Sequence, residues 1–273
     1  MNKVRMKLKS EAGVSLAETL IALLLTGLVI TSIFGVYINQ HKSWMIQEGI
    51  TEAQQNARAV IDELTRQVRM AGYHLPLGLP GLQALNTDPD TIVINYCQGG
   101  CDAPIEWDMP QPSSELRCDG HDISCFFDGE CAYIFDPDSG GGEFFTITQV
   151  QTASSHIQHN TTVLSKAYKK GSIILALESV KYYIDRTDTT HPNLMMQLPG
   201  QAAQVYAENI EDLQFQYTMK NGTVTNVPTV VPDVREVSIS LTARTQEPDP
   251  DFPANPYRRR IFSSKVNLRN FDI

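Results

Sequence analysis

The chain has 273 residues, 42% of them hydrophobic, with 22 basic and 31 acidic side chains and a net charge of −9. Its 17 glycines and 15 prolines are ordinary for that length, which excludes a collagen-like or wholly disordered chain. The acidic balance argues against a nucleic-acid protein held by a general basic surface. The charge is unevenly spread. Residues 1–13 carry Lys3, Arg5, Lys7 and Lys9 against Glu11, a net of +3, which leaves 18 basic and 30 acidic groups, a net of −12, on residues 14–273.

Between Thr19 and His41 there is no Asp, Glu, Lys or Arg. The core of this stretch, Leu20 to Ile38, is long enough to span a bilayer as a helix, since about 20 residues at 1.5 Å each cover the roughly 30 Å hydrocarbon layer. Basic residues precede it and the acidic bulk follows, so the positive-inside rule predicts a cytoplasmic N-terminus and a body on the far side. A conventional secretory signal needs a small-residue cleavage site after the apolar run, whereas Asn39-Gln-His-Lys-Ser-Trp44 stands there. The run reads as a retained span. Glu18 immediately precedes the run, just inside the expected membrane helix, and a carboxylate there is costly unless paired or functional.

The segment Lys7-Leu-Lys-Ser-Glu-Ala-Gly13, followed by Val14-Ser-Leu-Ala-Glu18-Thr-Leu-Ile-Ala-Leu, resembles the type III signal of type IV prepilins. The resemblance implies that a prepilin peptidase cuts after Gly13 on the cytoplasmic side and N-methylates Val14, where Phe is the commoner residue. Glu18 then becomes the fifth mature residue. An unpaired charge in the hydrophobic layer costs several kcal/mol, so pairing of Glu18 with the new Val14 amine, of its own or a neighbouring subunit, would favour one axial register.

The helical pattern continues past the span. No Pro occurs between Val14 and Leu75, and Ile46, Ile50, Ala53, Ala57, Val60, Ile61, Leu64, Val68 and Ala71 recur at spacings of three and four. Gly72 is the expected C-cap, and Pro76 prevents continuation. A helix of about 58 residues, near 87 Å long, is predicted. Its apolar stripe is too Ala-rich and drifts too far from a seven-residue repeat for an isolated coiled coil. Pilins often carry a Pro where this helix softens; here Gly27, Gly35 and Gly49 are the available weak points.

After Gly72 short β-rich runs dominate: Thr91–Tyr96, Ala132–Phe135, Phe144–Val150, Ser172–Leu177, Val180–Ile184, Leu213–Tyr217, Val234–Leu241 and Arg260–Leu268. Several alternate with period two, as one-sided antiparallel strands do. Asn221-Gly222 reads as a hairpin turn and residues 202–209 as a short helix. The predicted class is α+β, a long N-terminal spine helix packed on a largely antiparallel sheet, which the resemblance extends to a type IV pilin-like fold. The expected organisation is a leader at 1–13, a membrane or filament-core half of the helix at 14–41, an amphipathic half at 42–72, and a β-rich periplasmic domain at 73–273.

The order Asn209–Tyr217, Val234–Arg244, Tyr257–Asn270, together with Glu52-Ala-Gln-Gln-Asn-Ala-Arg58 leading to Arg69-Met-Ala-Gly-Tyr73, resembles PilW-type minor pilins over residues 7–75 and 175–270. The J-type minor pseudopilin of type II secretion shares the broad pattern and is the nearest alternative. The resemblance implies a tip-proximal subunit that primes pilus assembly. Its partners would be the prepilin peptidase, other major and minor pilins through the N-terminal helix, and the inner-membrane assembly platform. Its location would be the bacterial inner membrane and then the pilus at the cell surface.

The middle of the chain has a different character. All five cysteines lie between Cys97 and Cys131, and residues 70–165 hold 13 acidic groups against Arg117 alone. On the outer side of an inner membrane cysteines usually oxidise, so disulfides are expected to staple an acidic insertion at about 97–143. Cys97 with Cys101, and two of Cys118, Cys125 and Cys131, are the expected pairs, although spacing alone leaves connectivity open. The spacings fit no common zinc pattern, and haem attachment lacks Cys-x-x-Cys-His. No cofactor is expected, with one alternative: Asp136, Asp138 and Glu143, with Asp128 and Glu130 upstream, offer hard oxygen ligands for a calcium loop, against the plainer reading of a solvated acidic turn.

Catalytic patterns are missing: there is no Gly-x-Ser-x-Gly, phosphate loop or His-Glu-x-x-His, so no enzyme is expected. A membrane-anchored periplasmic enzyme or sensor is the alternative from another class. His156 and His159 read as surface residues. Arg258, Arg259 and Arg260 read as a paired sheet surface rather than a nucleic-acid contact.

Overall fold

A computed structural model describes residues 13–76, 78–161, 163–249, 251–254 and 256–271. Lys3, Arg5, Lys7, Lys9 and Glu11, the charged residues of the expected leader, lie outside them. The chain divides into two units, one ending at Gly49 and one beginning at Ile50. A single helix, α1 (Leu16–Met70), passes through both.

Within the first unit α1 is exposed on every side from Leu16 to His41, and none of its apolar window is buried within the chain. It runs unbroken through Gly27, Gly35 and Gly49. The second unit contains the rest of α1 and fourteen strands among the described residues. Ala53, Ala57, Val60, Leu64 and Val68 form the buried stripe that the spacing predicts. They join a core with Leu213, Phe215, Tyr217, Val237, Ile239 and Leu241.

The strands are β1 (Leu82–Leu85), β2 (Thr91–Pro104), β3 (Leu116–Arg117), β4 (Cys131–Asp136), β5 (Gly141–Thr146), β6 (Gln149–Gln151), β7 (His156–Gln158), β8 (Ile173–Asp185), β9 (Asn193–Gln197), β10 (Gln204–Glu208), β11 (Ile210–Met219), β12 (Val224–Thr225), β13 (Val234–Arg244) and β14 (Arg259–Asn267). They make a seven-stranded sheet in the order β1-β2-β8-β4-β5, with β9 and β10 on the second edge of β8. A four-stranded sheet runs β12-β11-β13-β14, and a three-stranded sheet runs β3-β7-β6. All pairings are antiparallel. The class is therefore α+β.

Alternation explains the central pair of the four-stranded sheet. Leu213, Phe215 and Tyr217 of β11 lie opposite Leu241, Ile239 and Val237 of β13, all buried on the face that meets α1. The Asn221-Gly222 turn closes β11 onto β12 as expected, with Gly222 at φ 83°. Asp90 ties the large sheet to this one: its backbone N–H donates to Leu213 O, and Phe215 N–H donates to Asp90 Oδ2, both at 2.8 Å. Burial pushes the Asp90 carboxyl above its usual range, against the hydrogen bond from Phe215.

Three strand expectations change. Residues 172–177 and 180–184 belong to one continuous strand, β8, because Glu178 and Ser179 pair with Tyr96 and Asn95 and do not form a turn. Residues 144–150 split into β5 and β6. Ile147 N–H turns to Glu130 O and Thr148 N–H to Gln158 O, both at 2.8 Å, which carries the chain from the large sheet to the three-stranded one. The expected helix at 202–209 is instead β10, whose Val205 pairs with Met195 of β9, and Asn209 at φ 59° separates β10 from β11.

The acidic middle is an ordered part of the second unit. It has its own apolar core, including Ile105, Leu116, Ile123, Phe126, Ile134, Phe145 and Ile157, and this core extends beyond residues 97–143 to Tyr168 and Ile174. Where α1 ends, Gly72 sits at φ 79° and its N–H donates to Asn95 O at 2.9 Å. A Cβ there would meet the Phe271 ring, which would have to move, and the positive φ favours glycine whatever the space.

Candidate functional site

The first turn of α1 carries the residues that the sequence singles out. Gly13 and Val14 are exposed and precede the helix, and Glu18 lies in its first turn. Ser15 N–H donates to Glu18 Oε2 at 2.9 Å, and Glu18 N–H donates to Ser15 Oγ at 3.2 Å. This reciprocal pair is a capping box, and it satisfies two backbone donors that a helix start leaves without partners. The Ser-x-x-Glu spacing signals it, and an argument from charge alone overlooks it. Glu18 therefore has a local structural role as well as any role in assembly.

The span that follows is long and apolar enough to serve as a single-pass membrane anchor. Its hydroxyls donate back to helix carbonyls: Thr19 to Leu16 O at 2.8 Å, Thr26 to Ala22 O at 2.7 Å, Thr31 to Gly27 O at 2.8 Å, and Ser32 to Leu28 O at 2.9 Å. Internal satisfaction lowers the cost of placing them in hydrocarbon.

In the second unit the cysteine expectation is corrected. Cys101 bonds to Cys125, not to Cys97, while Cys97, Cys118 and Cys131 remain thiols. The cause is a break of register in β2. Cys97 faces Leu177 and Asp102 faces Leu175, so the residues between bulge out of the ladder. Cys101 then enters the middle core with Ile123 and Phe126, which bracket Cys125. Cys97 Sγ instead donates to Cys101 O at 3.5 Å. Burial, with Asp119 and Glu106 nearby, pushes the Cys118 thiol up to about 12.

The candidate calcium carboxylates are engaged by donors of the chain itself. Asp136 pairs with Lys166 and accepts from Ser139 Oγ at 2.9 Å and Asp138 N–H at 3.1 Å. The Lys166 hydrogen bond, opposed by burial and reinforced by Ser139, lowers the Asp136 carboxyl to about 2. Glu143 accepts from Ser165 N–H and Oγ and from Tyr168 OH, at 2.6 to 3.0 Å. Asp138 is exposed. Upstream, Asp128 accepts from Val150 N–H and Glu130 from Phe127 N–H. Among the described residues no group of three or more His, Cys, Asp or Glu side chains is placed to hold a metal ion. Calcium binding through Asp136 would have to displace the Lys166 ammonium.

Of the two histidines expected at the surface, His159 is buried and His156 is half-buried. His159 Nε2 lies 2.7 Å from Ser114 O. His156 lies between two carboxylates, Nδ1 at 3.2 Å from Glu115 and Nε2 at 3.0 Å from Asp119. Arg117, its cross-strand partner, binds Asp119 at 2.9 Å and lies over Trp107, whose Nε1 donates to the same carboxylate at 2.8 Å. The alternation Glu115, Arg117, Asp119 places these charges on one side of an extended segment, a signal visible in the sequence. Arg117 of β3 also donates to His156 Nε2 of β7 at 3.3 Å, so the cluster ties these two strands together.

Of the three consecutive arginines, Arg258 pairs with Asp249 at 2.7 Å and Arg259 makes a two-pronged contact with Glu211, while Arg260 is exposed. A cleft of about 480 Å³ opens nearby, lined by Asp88, Arg186, Pro192, Glu211, Asp212 and Thr242 among others. Arg186 donates to Glu211 O and Asp88 O and approaches Asp212. No protein-family model, curated protein or solved structure matches the chain.

Proposed function

We propose that this chain is a minor type IV pilin. It would be a prepilin cleaved after Gly13 and methylated at Val14, anchored in the inner membrane by the first half of α1 with its β-rich domain in the periplasm, and then assembled near the pilus tip to prime filament growth. The observation that carries the reading is the junction at Gly13. A basic stretch ends there, an exposed Gly-Val pair follows, and within five residues an unbroken apolar helix begins with a carboxylate in its first turn. The attachment of that helix to an antiparallel α+β domain supports a pilin-like architecture. The resemblance of residues 7–75 and 175–270 to PilW-type sequences favours a minor subunit.

Gly13→Ala provides the test. A methyl group at Gly13 meets nothing within 4 Å, so the substitution leaves the fold alone and probes recognition by the peptidase. Co-expressed with a prepilin peptidase, the native chain should lose residues 1–13 and begin with N-methylated Val14 by mass spectrometry, while Gly13→Ala should keep its leader. Equal trimming of both chains would refute the proposal.

A further inference from the structure

At the end of the apolar run four aromatic rings stand in line on one side of α1. Phe34, Tyr37, His41 and Trp44 follow at spacings of three, four and three, which places them on a common face. Their centroids are 6.4, 6.0 and 6.0 Å apart, and the last two contacts are stacked, with interplanar angles of 6° and 17°. All four residues are exposed. Rings stacked in this way hold one another's rotamers while presenting a continuous face that the chain itself does not cover.

The order of the rings is graded. Phe34 has no polar atom, Tyr37 has a phenol, and His41 and Trp44 carry ring N–H groups. The wholly apolar ring therefore comes first and the rings with a polar edge follow, in the direction that leaves the uncharged run, and Lys42 is the first charged residue after Glu18. At 1.5 Å per residue the ladder from Tyr37 to Trp44 spans about 10 Å, enough to cross one headgroup layer of roughly 5–8 Å, and Phe34 falls on its hydrocarbon side. Amphipathic rings concentrate at that level because their bodies are apolar and their edges are wet. Close packing of one membrane helix on another instead favours small residues at the contact.

We propose that the Phe34–Tyr37–His41–Trp44 ladder is a lipid-docking face that seats in the headgroup layer of the bilayer on the side where the β-rich domain lies, and so sets the depth and rotation of α1. The occupant is the phospholipid interface, with Phe34 among upper acyl chains, Tyr37 near the glycerol esters, and His41 and Trp44 among phosphates. The proposal rests on the membrane-anchor reading but not on the pilin reading.

The test uses the full chain carrying Trp107→Phe, which leaves Trp44 as its only tryptophan. Trp107 is exposed in the second unit. The protein is reconstituted in phosphatidylcholine–phosphatidylglycerol vesicles brominated either near the carbonyl end or near the far end of the acyl chains. Trp44 emission should be quenched at least about twofold more by the shallow label than by the deep one. Unquenched emission from protein that floats with the vesicles would overturn the ladder and leave the span intact. Quenching that disappears as the protein-to-lipid ratio rises would also overturn it, because a second copy would then cover the rings. Failure to float would overturn the membrane anchor itself. The difference between the native chain and Trp44→Phe reads the same quantity should Trp107→Phe fold poorly.

Discussion

Asn270 caps the helix that begins some 250 positions earlier in the chain: its side-chain amide donates to Ala71 O at 3.1 Å, and also to Arg69 O at 3.1 Å and Met70 O at 3.4 Å. The last carbonyls of a helix have no partner within it, and here the C-terminal segment supplies one. Phe271 continues the contact by packing over Gly72. Asn270→Ala should destabilise the second unit by about 1 kcal/mol, the net worth of such hydrogen bonds. Urea unfolding of the full chain in detergent measures this, and an unchanged midpoint would show that water caps the helix equally well.

Glu18 closes the capping box with Ser15, and under the proposed function its charge would also serve assembly. Glutamine preserves the cap and removes the charge, whereas alanine removes both. Glu18→Gln should retain normal helicity in vesicles yet be incorporated into filaments poorly, at a level close to that of Glu18→Ala. Normal incorporation of Glu18→Gln would assign the residue to capping alone.

Two aspartates should move stability with pH in opposite directions. Asp136 has its carboxyl lowered to about 2 through the Lys166 hydrogen bond, so it contributes stability above the ordinary carboxylate range that is lost as pH falls toward that value. Lys166→Met should therefore raise the pH of acid unfolding. Asp90 is shifted upward by burial, so its contribution is present at low pH and is lost as pH rises through its raised pKa. Asp90→Asn keeps an acceptor for Phe215 N–H and should be at least as stable as the native chain at neutral pH. Parallel pH–stability curves for the native chain and both variants would refute these assignments.

Alkylation of the denatured, unreduced chain should label Cys97, Cys118 and Cys131 and spare Cys101 and Cys125. In the native chain Cys131 should react first, since it is exposed while Cys97 and Cys118 are buried. The bond joins positions 24 apart, and a loop of that size contributes about 3.5 kcal/mol in the chain-entropy account. The Cys101→Ser, Cys125→Ser double variant should lose that order of stability. A peptide linked through Cys97 and Cys101 would contradict the pairing.

Features that depend on neighbours in the chain were legible without coordinates. The span needs only an uncharged run, the amphipathic half of α1 only a spacing of three and four, and the α+β class only the change of period after Gly72. The capping box belonged to the same class, and its spacing was present in Ser15 and Glu18. Elements whose pattern is weak were misread. Residues 204–208 carry no strong alternation, and β9 decides that they are a strand. Glu178 and Ser179 look like a break in β8, until Tyr96 and Asn95 pair with them.

By itself the sequence determined where the anchor lies, where the polar helix face begins, and which charges flank the Gly13 junction, because each is a property of adjacent residues. Tertiary structure alone decided that Cys101 meets Cys125, that Lys166 occupies the carboxylate of Asp136, that His159 is buried, and that Asn270 closes α1. Each of these joins segments 24 or more positions apart, or buries a polar side chain whose partner is equally distant. The outcome turns on sheet register: the slip in β2 between Cys97 and Asp102 sends one thiol to the disulfide and leaves the other against a carbonyl, and no local pattern encodes that difference.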